Sequence, residues 1–138
     1  DPVRDWSRTW EVHMPVRVVV VDDKSHVLDM LVTMLTLDGF DVVGSGVSGE
    51  EAIELATRLR PDVIVIDYMM PGMNGLVAAR KIREAVASQS IILYTAFLDE
   101  TVEQEARAAG VALCVGKVEG LETLEQSITE LCLQISRD

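Results

Sequence analysis

The chain is poor in aromatic residues, with two each of Trp, Tyr and Phe in 138 residues, and it has only two cysteines and two histidines. Cys114 and Cys132 stand in apolar stretches with no partner at metal-ligand spacing, so both read as buried, reduced thiols, neither a disulfide nor a zinc site. His13 and His26 are isolated and read as solvated or structural. Positive charge is also scarce: 12 Lys and Arg stand against 23 Asp and Glu, a net charge of -11 that repels a phosphate backbone. Direct binding of nucleic acid by this chain is therefore not expected. No apolar run approaches the length of a membrane span, and no charged, apolar and small-residue series marks a secretory leader. A cytoplasmic chain without membrane contact is the expectation.

What the sequence does have is apolar content, 49% of its residues, enough for one domain around a single core. Residues 16–21 form a β-branched run broken only by Arg17, the pattern of a strand buried on both faces. Over 25–38 the apolar residues Val27, Leu28, Leu31, Met34 and Leu35 recur at helical spacing, with Gly39 placed to end the helix. A second strand is expected over 40–43, and Ser48 with Glu51 forms a capping-box signature ahead of a second helix. Strands follow over 62–66, 91–94 and 111–115, and helices over 76–87, 99–109 and 121–135. Five strands alternating with five helices predict an α/β fold: a single, doubly wound (βα)5 parallel sheet joined by right-handed crossovers. This pattern leaves the strand order open, but ligands of such sheets bind beyond the carboxyl ends of the strands.

The chemistry-bearing residues fall at those ends. The first strand runs into Asp22 and Asp23, the third (VIVID) into Asp67, the fourth into Thr95 and the fifth through Gly116 into Lys117. Taken singly, an acid after a strand is a turn former and a lone lysine is solvated. Taken together, three crowded carboxylates repel by about 4 kcal/mol per pair at 4 Å in a surface-like dielectric and call for a cation. Oxygen donors without His or Cys suit a hard ion such as magnesium. A carboxylate nucleophile, a metal, a lysine and a hydroxyl donor are the parts a transferred phosphoryl group needs.

The motifs VVVVDD, IDYMMPGMNGL, YTA and GK, in that order and at these separations, resemble the receiver domain of two-component response regulators over roughly residues 15–136. The resemblance implies a flavodoxin-like sheet of order 2-1-3-4-5 and a phosphoryl group accepted on Asp67 from a sensor histidine kinase or histidine phosphotransfer protein. It also implies magnesium held by Asp23 and Asp67 and the Met69 carbonyl, with Asp22 acting through water. Thr95 and Lys117 would contact the phosphoryl group. The chain would be a signalling module and not an enzyme. The stretch YTAFLDETVEQEARAAG is most similar to receivers attached to helix-turn-helix transcriptional regulators, and the expectation is either a stand-alone receiver or one set apart from its output domain.

Two positions depart from the family pattern. Val118 follows Lys117 where relatives carry a cis proline, and a cis bond before a non-proline costs about 3–4 kcal/mol, so a trans bond is expected. Cys114 replaces the aromatic that turns inward when Thr95 moves, so the usual switch is missing. Met69 and Phe97, large and apolar beside the route of a hydrolytic water, imply slow loss of the phosphoryl group. A homodimer through the face from the fourth to the fifth helix is a further expectation. The alternative is a degenerate receiver that binds partners without phosphorylation.

Two rivals are weaker. GSGVSG at 44–49 matches a dinucleotide fingerprint, but it follows the second strand and not the first, so its glycines read as a flexible strand exit. A phosphatase of the haloacid dehalogenase type needs an acid two residues after the nucleophile, where this chain has Met69. Trp6 and Trp10, four apart in residues 1–14, suggest a short amphipathic arm, but a mobile leader ahead of Met14 is the preferred reading.

Overall fold

In a computed structural model, which describes residues 15–137, side-chain alternation along the strands sets the layers. Strands β1 (Arg17–Val21), β2 (Asp41–Gly46), β3 (Val63–Ile66), β4 (Ser90–Thr95) and β5 (Leu113–Gly116) alternate with helices α1 (Ser25–Leu37), α2 (Gly49–Leu59), α3 (Gly75–Ala85), α4 (Glu100–Ala108) and α5 (Leu121–Arg137). All pairings are parallel and the order is β2-β1-β3-β4-β5. Val18 and Val20, with Val63, Val65 and Ile92, face α1 and α5 through Leu28, Leu31, Leu35, Leu124 and Ile128. Val19 and Val21, with Ile64, Ile66 and Leu93, face α2, α3 and α4 through Ala52, Leu55, Ala79, Ile82 and Val102. Both sheet faces are thus covered, which is why β1 and β3 read as unbroken apolar runs. Each fully buried Val or Ile contributes about 1.5–3 kcal/mol relative to exposure.

The helix starts follow their capping residues. Ser48 Oγ accepts from the Glu51 N–H at 3.2 Å, while Glu51 Oε1 reaches back to the Val47 N–H at 3.1 Å, one residue earlier than a standard capping box. Asn74 Oδ1 accepts from the amides of Leu76 and Val77, and Asp99 Oδ1 from that of Val102. Helix α1 differs from these three: Lys24 occupies its N-cap and provides no side-chain cap.

The expected second strand, 40–43, is too short: β2 continues through Gly44 and Gly46. The glycines are not a flexible exit. A Cβ on Gly44 would stand 2.9 Å from Leu59 Cδ1 and 3.1 Å from Leu55 Cδ2, so the bare backbone lets α2 close onto β2. Val43 is an extra residue in the ladder, because Val18 pairs with Val42 and Val19 with Gly44. The added length matters to the next strand, since the Asp22 N–H donates to the Gly46 carbonyl at 3.1 Å. Other limits shift slightly: α3 ends at Ala85, β4 reaches Thr95, and β5 begins at Leu113. The proposed leader, residues 1–14, lies outside the described residues. Among those described, no helix is long and apolar enough to cross a membrane.

Candidate functional site

The carboxyl edge of the sheet gathers the acids because β1 and β3 are adjacent and in register: Val21 pairs with Ile66, so the residues after them, Asp22 and Asp67, emerge side by side. The Asp67 N–H donates to the Val21 carbonyl at 3.1 Å and fixes this alignment. Asp22 is 1% exposed and Asp67 4%. One carboxylate oxygen from each of Asp22, Asp23 and Asp67 can be chosen so that all three lie within 4.8 Å of one another. At that separation each pair repels by about 3.5 kcal/mol at an effective dielectric of 20.

Two lysines offset the repulsion. Lys117 Nζ donates to Asp22 Oδ2 at 2.8 Å and to Asp67 Oδ2 at 3.3 Å. Burial alone would lower the Lys117 pKa, but its hydrogen bond to Asp22 and the charges of Asp67 and Asp22 outweigh this and raise it above the usual lysine value. The ammonium also stands 5.9 Å from the centre of the Tyr94 ring, within cation–π range. Burial raises the Tyr94 phenol pKa, and Lys117 partly opposes that. The second lysine is Lys24, whose Nζ lies 3.4 Å from Asp23 Oδ1 and 3.7 Å from Asp67 Oδ2. Backbone amides complete the shell, with Tyr68 N–H on Asp67 Oδ1 at 2.7 Å and Lys24 N–H on Asp22 Oδ1 at 2.9 Å.

Lys117 opens a 3-10 turn, Lys117–Glu119, that Glu119 closes by accepting the Gly116 N–H at 2.8 Å. No cis peptide bond occurs among the described residues, so the Lys117–Val118 bond is trans, as expected. On the other flank, Gly75 presses against Asp67: a Cβ there would collide with the Asp67 carbonyl oxygen and meet Tyr68 Cα at 3.1 Å. Only glycine lets α3 start this close behind the loop.

Asp22, Asp23, Asp67 and Lys117 are thus brought together. Thr95 is fully buried at the end of β4, where its Oγ1 accepts from the Phe97 N–H at 3.2 Å. Met69 and Phe97 expose about half of their surface, 48% and 58%. Cys114 is outside the cluster, on edge strand β5 against Leu93 in register, and is half-buried, not buried as expected. Cys132 is half-buried as well. Lys24, Tyr94 and Glu119 were not anticipated. Their roles depend on partners brought in by the fold, except that Glu119 follows Gly116 by three residues, a spacing at which a side chain can reach back to a backbone amide.

A sheet of this order with an aspartate cluster at its carboxyl edge defines a flavodoxin-like receiver. The chain belongs to the response regulator receiver domain family, whose model matches residues 18–129. It is 33% identical over 117 residues to response regulator GacA of Pseudomonas aeruginosa, covering 84% of this chain and 55% of GacA. It is 35% identical over 97 residues to chemotaxis protein CheY of Thermotoga maritima, covering 70% of this chain and 81% of CheY. Among solved structures, a LuxR-family two-component response regulator from Aurantimonas sp. superposes with a TM-score of 0.84 at 26% identity, over 88% of this chain and 87% of that one. The chain spans about half the length of the GacA proteins it matches.

Proposed function

We propose that Asp67 accepts a phosphoryl group from a phosphohistidine on a sensor kinase or phosphotransfer protein. The observation that carries this reading is Asp67 itself, a 4% exposed carboxylate held by Lys117 at 3.3 Å within a cluster of three acids. In the transfer, a carboxylate oxygen of Asp67 forms the new O–P bond as the donor's P–N bond breaks; the imidazole leaves with that electron pair and takes a proton. Lys117 is placed to hold the developing charge, and the Thr95 hydroxyl adds a donor at the same edge. The donor set of Asp22, Asp23 and Asp67, all oxygen, fits magnesium, and the family resemblance adds the Met69 carbonyl as a further ligand. When bound, that ion would offset charge on the phosphoryl oxygens.

The phosphoryl group shifts the chain between two states only by the difference in contact energy it makes with Thr95 and Lys117. Helix α4 buries only Val102 and Ala106 and is the element to respond, with dimerisation through the α4–α5 face as the readout. The output we assign is transcriptional control through a helix-turn-helix domain, the branch that the stretch YTAFLDETVEQEARAAG resembles; the likeness to a LuxR-family two-component response regulator agrees with a response-regulator role. Intact mass after incubation with acetyl phosphate and magnesium tests the acceptor. One phosphoryl group is expected on the native chain and none on Asp67→Asn. An unmodified native chain would leave a binding module as the reading.

A further inference from the structure

Lys24 stands where local rules disfavour it. An N-cap is the place for Ser, Thr, Asp or Asn, and the positive end of a helix dipole repels a cation. Helix α1 has no side-chain cap and no acid in its first turn to compensate. The lysine is held there by the site: Nζ lies 3.4 Å from Asp23 and 3.7 Å from Asp67. Its hold is looser than that of Lys117, whose contacts are 2.8 and 3.3 Å and whose side chain is 21% exposed against 47% for Lys24. Asp23 is the most open of the three acids, its side chain 23% exposed, so a cation entering from solvent meets Asp23 and Lys24 together.

We infer that Lys24 is a resident counter-ion that competes with the divalent cation for Asp23 and Asp67, and so sets the magnesium concentration at which the site loads. The inference rests on the magnesium reading above. Three carboxylates shared by two ammonium groups leave one net negative charge, a weak field for a divalent ion. With the Lys24 ammonium swung into solvent, two negative charges remain to attract the ion. The main chain need not move, because the Lys24 N–H stays on Asp22 Oδ1 at 2.9 Å while the flexible side chain leaves. Lys24 is therefore a positioning residue for metal affinity, and Lys117 is the cation that stays.

Calorimetric titration of the full chain with magnesium chloride, at fixed ionic strength and pH 7.5, tests this without any phosphoryl donor. Lys24→Met keeps the aliphatic stem and removes the charge, and it should tighten the magnesium Kd by about three- to tenfold. Lys24→Arg keeps the charge and should stay within about twofold of the native chain. Equal affinities for the native chain and Lys24→Met would overturn the counter-ion role and leave the magnesium site standing. No binding by any of the three would overturn the magnesium site and the counter-ion role together.

Discussion

Replacing Lys117 by Met leaves the carboxylates of Asp22 and Asp67 buried without their main counter-charge, and the loss can be sized from the geometry. At an effective dielectric of 20, an ammonium 2.8 Å from Asp22 and 3.3 Å from Asp67 contributes about 5–6 kcal/mol of attraction to each. Most of this is offset by the desolvation of the ammonium itself, which the variant avoids; breaking such a pair on one side typically costs about 3–5 kcal/mol. Two features reduce the figure here. Lys24 still reaches Asp67, and water reaches a Lys117 side chain that is 21% exposed. A loss of about 2–3 kcal/mol is expected, or about 7–10 °C in Tm for a chain of this size.

Urea unfolding followed by circular dichroism, in chelator at pH 7.5, reads this as a lower midpoint at unchanged slope. A second variant separates the stranded charge from lost packing: adding Asp22→Asn to Lys117→Met should recover about 1 kcal/mol or more, because the uncompensated carboxylate is gone. The pH range is also fixed. The folded Lys117 pKa is raised, so its stabilisation is fully present below the ordinary value of 10.5 and lost only as pH rises through the folded one. The gap between native and variant chains should therefore be constant from about pH 6 to 9. A single variant within about 0.5 kcal/mol of the native chain, or a double variant less stable than the single, would refute the argument.

Gly75→Ala puts a Cβ into the Asp67 carbonyl oxygen, so it should cost about 2 kcal/mol or more in thermal unfolding and slow phosphoryl uptake from acetyl phosphate. Unchanged melting would mean that α3 can shift freely behind the site. Glu125→Gln tests a second acid contact, beside Asp38 and Glu122 in a 420 Å³ cavity between the end of α1 and α5. Burial, then the hydrogen bond and charge of Asp38, then Glu122 push the Glu125 pKa up to about 7. A carboxyl raised on folding destabilises as pH rises from its unfolded value through the folded one. Glu125→Gln should therefore stabilise the chain by about 1 kcal/mol above pH 8 once the open setting is allowed for, seen as a higher Tm than that of the native chain, and not at pH 5. The same difference at both pH values would count against a shared proton.

The residues that could be read from the sequence and those that could not differ in what placed them. Asp22 and Asp67 end strands that are apolar throughout because both faces of a parallel sheet are covered, so the sequence marks both the strand and its last residue. Thr95 and Lys117 follow from the same logic. Gly44 and Gly46 look like an exit in the sequence because their cause is tertiary: Leu55 and Leu59 of α2 need the space at Gly44, and Glu51 and Leu55 need it at Gly46, with no mark of it in the glycine stretch. Cys114 was placed too deep because an apolar run does not say whether its strand is central or at an edge, and β5 is an edge. Lys24 lies outside the strand-end pattern that picks out Asp22, Asp23, Asp67 and Lys117, so that pattern does not mark it. Its identity as an N-cap is nevertheless a local contradiction, and folded chains keep such contradictions where function overrides local preference. The helix after Asp22 and Asp23 was expected to start at Ser25, which makes the residue before it the cap. A lysine in that position, with no acid in the turn behind it, was the one sequence signal that a second cation belongs to the site.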